Sequence, residues 1–205
     1  MTTYKLTYFD FDGGRGEPIR IALHSAGIAF EDHRLTFPQF TEQRLGFRFH
    51  ALPVFEVDGV AVTQSNAICR YVGKLSDLYP ADDLQALYCD EVMDALEDLG
   101  QRLGPTFGMK GEELRLAREK LAEGWIPVFL RGLEQLLKRG GGTWFADKRL
   151  TMADLKAFVN IRWLMSGALD HIPADLVQQH APGLVRHEGR VGEDARVAAY
   201  YAARS

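Results

Sequence analysis

Every strand signal in this 205-residue chain lies before residue 64, and everything after Pro80 reads as helix. Few constraints on a fold are stronger, because a sheet and a set of helices segregated along the chain must each bury their own apolar face. Tyr4–Phe9 is a short run of aromatic and β-tolerant residues, followed over residues 10–16 by a loop that contains Gly13, Gly14 and Gly16. Pro18 then stands where a first helical turn tolerates proline, with Ile19, Ala22, Leu23 and Ala26 at helical spacing and Gly27 as the stop. Residues 29–35 return as a second strand, so the opening segment reads as a βαβ unit with a right-handed crossover. Val54–Val57 and Val60–Thr63 flank Asp58-Gly59, a strong short-range hairpin signal. After it Ser65 caps a helix whose apolar face is Ala67, Ile68, Tyr71, Val72 and Leu75.

The order βαβ then ββα predicts an α/β N-terminal domain, a mixed four-stranded sheet with helices against it, over residues 1–75. Residues 76–83 form a polar linker containing Pro80, and residues 84–205 form an all-α C-terminal helical domain. In that domain Leu84, Tyr88, Val92, Leu96, Leu99 and Leu103 share one side of a helix. Residues 112–138 are a second long helical stretch that Pro127 kinks. Thr151 to Asp154 fits a capping box, with Leu150 and Leu155 placed as a hydrophobic staple.

Acids and bases are mixed along the chain, for a formal charge of -4, with no Lys or Arg run long enough to track phosphates, so nucleic acid is not an expected partner. The apolar stretches are far shorter than a bilayer span. Residues 1–14 carry Lys5, Asp10 and Asp12 where a signal peptide needs an apolar core. A cytoplasmic protein without membrane contact is therefore expected. Cys69 and Cys89 have no CxxC spacing, and the six histidines show no metal-ligand pairing, so neither dithiol chemistry nor a metal is expected.

Sheets of this kind place ligands beyond strand ends, where Tyr8 and the glycine-rich loop with Arg15 fall. Taken alone, Tyr8 also reads as an ordinary strand aromatic and Arg15 as a solvated charge. The helix start at Gln64-Ser65 offers free backbone N–H groups and the positive dipole end to an anion such as a carboxylate, although a serine there also serves as a plain N-cap. Leu52-Pro53 precedes the hairpin; X-Pro bonds are mostly trans, and the isomer is not fixed by the residues themselves. Asp98 lies on an acidic helix face that reads as solvated.

The ordered set YKLTYF, GRGEPIR, EDHRL, LPVFEVDG, TQSNAICRYVGK, ALEDL, LTMADL and RVAAYYAAR resembles the soluble glutathione transferase superfamily over nearly the whole chain, with sigma-type and pi-type members the most similar. The resemblance implies that the first domain is thioredoxin-like and binds glutathione as cosubstrate, and that the helical domain supplies most of the pocket for a hydrophobic electrophile. It implies catalytic roles for Tyr8, as hydrogen-bond donor to the glutathione sulfur, and for Arg15, as electrostatic support. Leu52 and Pro53 match the pair whose cis bond presents backbone to the cysteinyl moiety. Gln64 and Ser65 match the residues that hold the γ-glutamyl carboxylate, and Asp98 matches an acid that reaches glutathione in the neighbouring subunit of a homodimer. Thr151 and Asp154 match a folding motif. Three positions of the implied glutathione-binding set depart from close relatives: Phe40 stands where tryptophan is usual, Arg44 where lysine is usual, and Ala51 where glutamine or lysine is usual. Weaker glutathione binding is the expected result.

The energetics are consistent with such a role. A free thiol has a pKa of about 8.5, and a downward shift of roughly 2 units corresponds to about 2.7 kcal/mol. One hydrogen bond to a charged acceptor contributes on the order of 1.5–3 kcal/mol, so a neutral tyrosine hydroxyl supplies most of it. The nucleophile then arrives with the cosubstrate, and no catalytic cysteine is needed. A glutathione-dependent isomerase similar to the prostaglandin synthases, or a peroxidase, would use the same thiolate. A non-catalytic binder similar to the lens crystallins of some invertebrates is the alternative of another class. Phe9, Phe11, Leu103, Phe107 and Phe158 are candidates for the electrophile pocket and equally for plain core.

Overall fold

The computed structural model describes residues 2–204. Backbone packing divides it into two units, one formed by the chain up to Tyr79 together with the segment from Ala195, the other by Pro80–Asp194.

The first unit holds a four-stranded sheet in the order β2-β1-β3-β4, formed by β1 (Tyr4–Phe9), β2 (Glu31–Leu35), β3 (Val54–Val57) and β4 (Val60–Thr63). β1 runs parallel to β2 and antiparallel to β3, and β3 pairs antiparallel with β4, so the sheet is mixed as expected. Asp58 and Gly59 both have positive φ, 49° and 80°. That is the backbone demanded by the tight turn whose twist suits a hairpin. Between β1 and β2 lies α1 (Glu17–Ser25), where Pro18 sits in the first turn. Every residue of α1 from Glu17 to Leu23 is buried. A side chain such as Ile19 or Leu23, fully withdrawn from water, stabilises by about 1.5–3 kcal/mol.

Residues 36–53, unassigned by the sequence patterns, contain α2 (Phe37–Gln43) and two short 3-10 turns, Arg44–Gly46 and Arg48–His50. Thr36 and Gln39 form a capping box at the start of α2: the Thr36 amide donates to Gln39 Oε1 at 2.8 Å, and Thr36 Oγ1 accepts from the Gln39 amide at 3.4 Å. After β4, α3 (Ser65–Leu75) buries Ile68, Cys69 and Val72. Ser65 is its first helical residue and not its cap; Gln64 occupies the cap position with φ 74° and ψ 107°.

The second unit is helical. α4 (Asp83–Leu103) is capped by Asp82 Oδ1, which accepts from the Leu84 and Gln85 amides at 3.1 and 3.0 Å. α5 (Gly111–Lys120) and α6 (Ile126–Arg139) are joined by a π-helical turn, Leu121–Trp125. The expected kink at Pro127 therefore takes a specific form. Proline cannot donate to the carbonyl four residues back; one residue before it, the Ile126 amide reaches back to the Leu121 carbonyl, closing the wider π turn. α7 (Met152–Met165), α8 (Leu176–His180) and α9 (Pro182–Glu193) follow. At the start of α7, Asp154 Oδ2 accepts from the Thr151 amide and hydroxyl at 2.8 and 2.7 Å, and Oδ1 accepts from the Phe145 amide at 3.0 Å, all buried. Leu150 and Leu155 are buried beside them.

The last helix, α10 (Ala195–Ala202), groups with the first unit, although the domain boundary expected from the sequence assigns it to the helical domain. It packs on α1, with Val197 and Tyr200 buried, and the Tyr200 and His24 rings meet edge to face with 5.5 Å between their centres. Among the described residues no helix is long and apolar enough to cross a membrane.

Candidate active site

β1 delivers Tyr8 to the end of the sheet, where its side chain is 5% exposed and packs in an apolar cluster with Leu35, Leu52 and Val54. Phe9, Phe40 and Phe47 are half-buried against the same cluster. The glycine-rich loop is shaped around this tyrosine. A Cβ at Gly16 would lie 2.5 Å from Tyr8 Cδ1, and one at Gly14 would lie 2.6 Å from Tyr8 Oη. Gly14 also has φ +63°, a conformation that side chains disfavour. The absence of side chains at these two positions lets the loop backbone close over the ring, and the Arg15 amide then donates to Tyr8 Oη at 2.9 Å. A phenol oxygen that accepts one hydrogen bond still carries its own proton for donation, and successive bonds polarise one another.

Arg20, fully buried on α1, underpins the same loop. It donates to the Phe9 and Phe11 carbonyls at 3.2 and 3.3 Å, and its guanidinium lies 5.8 Å from the centre of the Tyr8 ring. Neither Arg20 nor the glycine contacts with Tyr8 were read from the sequence. The signal available was the density of glycine directly after an aromatic strand.

The other glutathione-binding candidates of the first unit fall into three groups. Phe40 and Leu52 join Tyr8 in its cluster, and the Leu52–Pro53 bond is cis. Gln64 and Ser65 stand at the start of α3, Ser65 buried and Gln64 in a backbone region that costs a non-glycine residue on the order of 1–3 kcal/mol. Arg44 and Ala51 are exposed beyond α2, with Phe49 and His50 between them at φ 60° and 49°. In the second unit Asp98 is exposed on α4. Leu103 and Phe158, offered above as pocket candidates, are fully buried core side chains there, whereas Phe107 is 58% exposed. No cluster of three or more His, Cys, Asp or Glu suited to a metal occurs among the described residues.

A tyrosine held by a loop amide, a helix start with a strained cap and a cis-proline ahead of a hairpin thus share one small sheet domain. The family model for the glutathione S-transferase N-terminal domain matches residues 4–74, and that for the C-terminal domain matches residues 97–204. The chain belongs to the glutathione S-transferase family. Among relatives of this family member, hematopoietic prostaglandin D synthase from Gallus gallus is 32% identical over 98% of the chain and 96% of its own length. Glutathione S-transferase 1 from Ascaris suum is 35% identical over 76% of the chain and 77% of its own length. Among solved structures, prostaglandin synthase D of Nilaparvata lugens superposes with a TM-score of 0.86 at 27% identity, covering 99% of this chain and 98% of that one. The glutathione S-transferase from Ascaris lumbricoides gives 0.80 at 31% identity over 99% and 98%.

Proposed function

We propose that this family member is a glutathione transferase in which the Tyr8 hydroxyl donates a hydrogen bond to the sulfur of bound glutathione and holds it as thiolate. The thiolate attacks an electrophilic carbon of a hydrophobic substrate; a carbon–sulfur bond forms, the leaving group departs with its electron pair, and the thiol proton has already passed to solvent. The observation that carries this reading is the 2.9 Å hydrogen bond from the Arg15 amide to Tyr8 Oη. It fixes the oxygen from one side, so the proton is offered on the other, and the chain N–H, O–H, S⁻ strengthens along its length. The Arg15 side chain adds positive charge to the same neighbourhood.

In this reading the N-terminus of α3, with Gln64 and Ser65, receives the γ-glutamyl carboxylate, for which a helix start is suited. Strain stored in the Gln64 backbone supports a binding role there, since such conformations persist where function requires them. Leu52 and Pro53 line the cysteinyl segment, Phe40 and Arg44 the glycyl end, and Asp98 serves glutathione in the partner subunit of a cytoplasmic homodimer. Ala51 supplies no polar contact, so glutathione binds more weakly than in relatives with a polar residue at that position. Tyr8→Phe, assayed with glutathione and an activated aryl halide, is expected to lose roughly one to two orders of magnitude in kcat with little change in glutathione affinity. Undiminished turnover in that variant would reject the role.

A second reading, isomerisation with return of glutathione, is favoured by the similarity to prostaglandin D synthases across nearly the full chain. Both reactions share the Tyr8 thiolate. Mass analysis of products separates them: a conjugate carries the tripeptide, an isomer does not.

A further inference from the structure

The loop that gives the Arg15 amide to Tyr8 contains Gly13 and Gly14 at φ +109° and +63°, and glycine is the residue least able to hold such a loop by itself. Its order must come from contacts outside it. We propose that Arg204 is a positioning residue for Tyr8, a guanidinium staple that closes the segment between Asp12 and Glu17 and so keeps the Arg15 amide on the phenol. The clamp is argued from contacts alone; its catalytic consequence rests on the role of Tyr8 proposed above.

Arg204 follows α10 and reaches back to both ends of the segment. One terminal nitrogen donates to Asp12 Oδ1; the other donates to Glu17 Oε1 at 3.2 Å and to the Tyr200 hydroxyl at 2.6 Å. Asp12 and Glu17 bracket Gly13, Gly14, Arg15 and Gly16, so this one planar fork ties the two flanks of the segment that carries the amide. A cross-link of that kind removes open-loop conformations.

The fork is anchored on its inner side. Glu17 is fully buried, and its other oxygen meets Arg20 Nη1 at 3.4 Å. Tyr200, 4% exposed, lies under the Arg204 guanidinium with 5.1 Å to its ring centre. Burial, and next the Glu17 carboxylate, push the Tyr200 phenol up, so it stays neutral. Asp12 is the exposed end, 61% accessible, where a single ion pair contributes little. Arg34 on β2 approaches the same loop, 3.6 Å from Asp10 and 3.7 Å from Asp12, and its Nε donates to Asp32 at 2.7 Å. Arg20 pairs with Asp32 at 3.0 Å, and the His24 and Tyr200 rings meet edge to face. Arg34 holds the Asp12 flank, and Arg20, bonded to the Phe11 carbonyl and to Glu17, ties the two flanks through a backbone carbonyl; Arg204 is the second tie, made through the Asp12 and Glu17 side chains.

The test uses Arg204→Gln, Arg204→Lys and Asp12→Asn in the full chain. In ligand-free protein, amide exchange over residues 12–16 is expected to quicken about tenfold or more in Arg204→Gln, the scale of one lost hydrogen bond to a charged partner, with β3 and β4 unchanged. Asp12→Asn, which leaves the buried Glu17 contact in place and folds even if the first variant does not, is expected to quicken it less. With glutathione and an aryl halide, the pH profile of kcat/KM for Arg204→Gln is expected to move up by about 0.5–1 unit, a roughly two- to fivefold loss at pH 6.5 that fades above pH 9. Arg204→Lys should recover part of the shift. Exchange over 12–16 that matches the unsubstituted protein in both Arg204→Gln and Asp12→Asn overturns the clamp. Faster exchange with an unmoved pH profile overturns its effect on Tyr8. If Tyr8→Phe itself proves indifferent, the reading of the reaction fails, and the exchange data still decide the clamp.

Discussion

Replacing Gly16 with alanine adds one methyl group at the point where the loop backbone meets the Tyr8 ring. The new Cβ would lie 2.5 Å from Cδ1, 2.7 Å from Cγ and 3.0 Å from Cβ of Tyr8. Carbon atoms pack at about 3.5–4.0 Å, so ring and loop must separate by about 1 Å. The ring has little room to retreat, being enclosed by Leu35, Leu52 and Val54 and flanked by Phe9 and Phe11 at 5.3 and 5.9 Å between ring centres. Gly16 itself has φ -81° and ψ -31°, open to any residue, so the substitution tests space and not backbone strain. Overpacking of this kind costs about 1–3 kcal/mol. At about 2–4 °C per kcal/mol for a chain of this size, the melting temperature should fall by roughly 2–12 °C. The kinetic effect should be larger in proportion: a reacting group misplaced by about 1 Å costs on the order of 100-fold in rate. Conjugation of an aryl halide, measured beside calorimetry, reads both quantities. Gly27→Ala is the control, since Gly27 sits at φ +63° with nothing within 4 Å; it should lose about 1 kcal/mol of stability and keep its turnover. A Gly16→Ala protein with unreduced kcat/KM would refute the argument that Gly16 is small because Tyr8 must lie against it.

Gln64→Gly should raise the melting temperature by relieving a strain of about 1–3 kcal/mol while weakening glutathione binding, the two effects read by calorimetry and titration. Asp154→Ala leaves Thr151, the Phe145 amide and His187 Nε2 (2.8 Å from Asp154) without their buried acceptor. It should destabilise by more than about 3 kcal/mol in chemical denaturation yet leave activity per folded molecule unchanged. Burial pushes the Cys89 thiol up to about 12, so iodoacetamide at pH 8 should leave it unlabelled in the native protein and label it after denaturation. The same shift makes stability fall between pH 9 and 12, because the unfolded chain there releases a proton that the folded one retains; flat stability across that range would contradict it.

The sheet domain was legible where local chemistry decides the outcome. β1 and both hairpin strands have the bounds read from their aromatic and β-tolerant residues and from Asp58-Gly59, since turn residues and strand propensity act within a few positions. α2 escaped notice although Thr36-x-x-Gln39 is a capping signature, because Pro38 and the exposed Phe37 obscure its periodicity. Pro127 announced a distortion in the long helix but not its π form, which depends on how neighbouring carbonyls find donors. Ser65 was read as the cap, one residue later than Gln64, which occupies that position. At the site, Tyr8 and Arg15 taken alone read as a strand aromatic and a solvated charge, and the family resemblance implied a role for the Arg15 side chain, whereas the structure brings the Arg15 backbone amide to the phenol. Contacts such as Arg204 to Glu17 join residues too distant in sequence for any pattern to pair them.

The central claim is that a phenol at the end of β1 lowers the proton affinity of a bound thiol. Ultraviolet titration of the thiolate in the binary complex measures it without any electrophile. The account predicts an apparent pKa roughly 2 units below the value of about 8.5 for a free thiol, returning most of the way in Tyr8→Phe. Equal pKa values for the two complexes would contradict it.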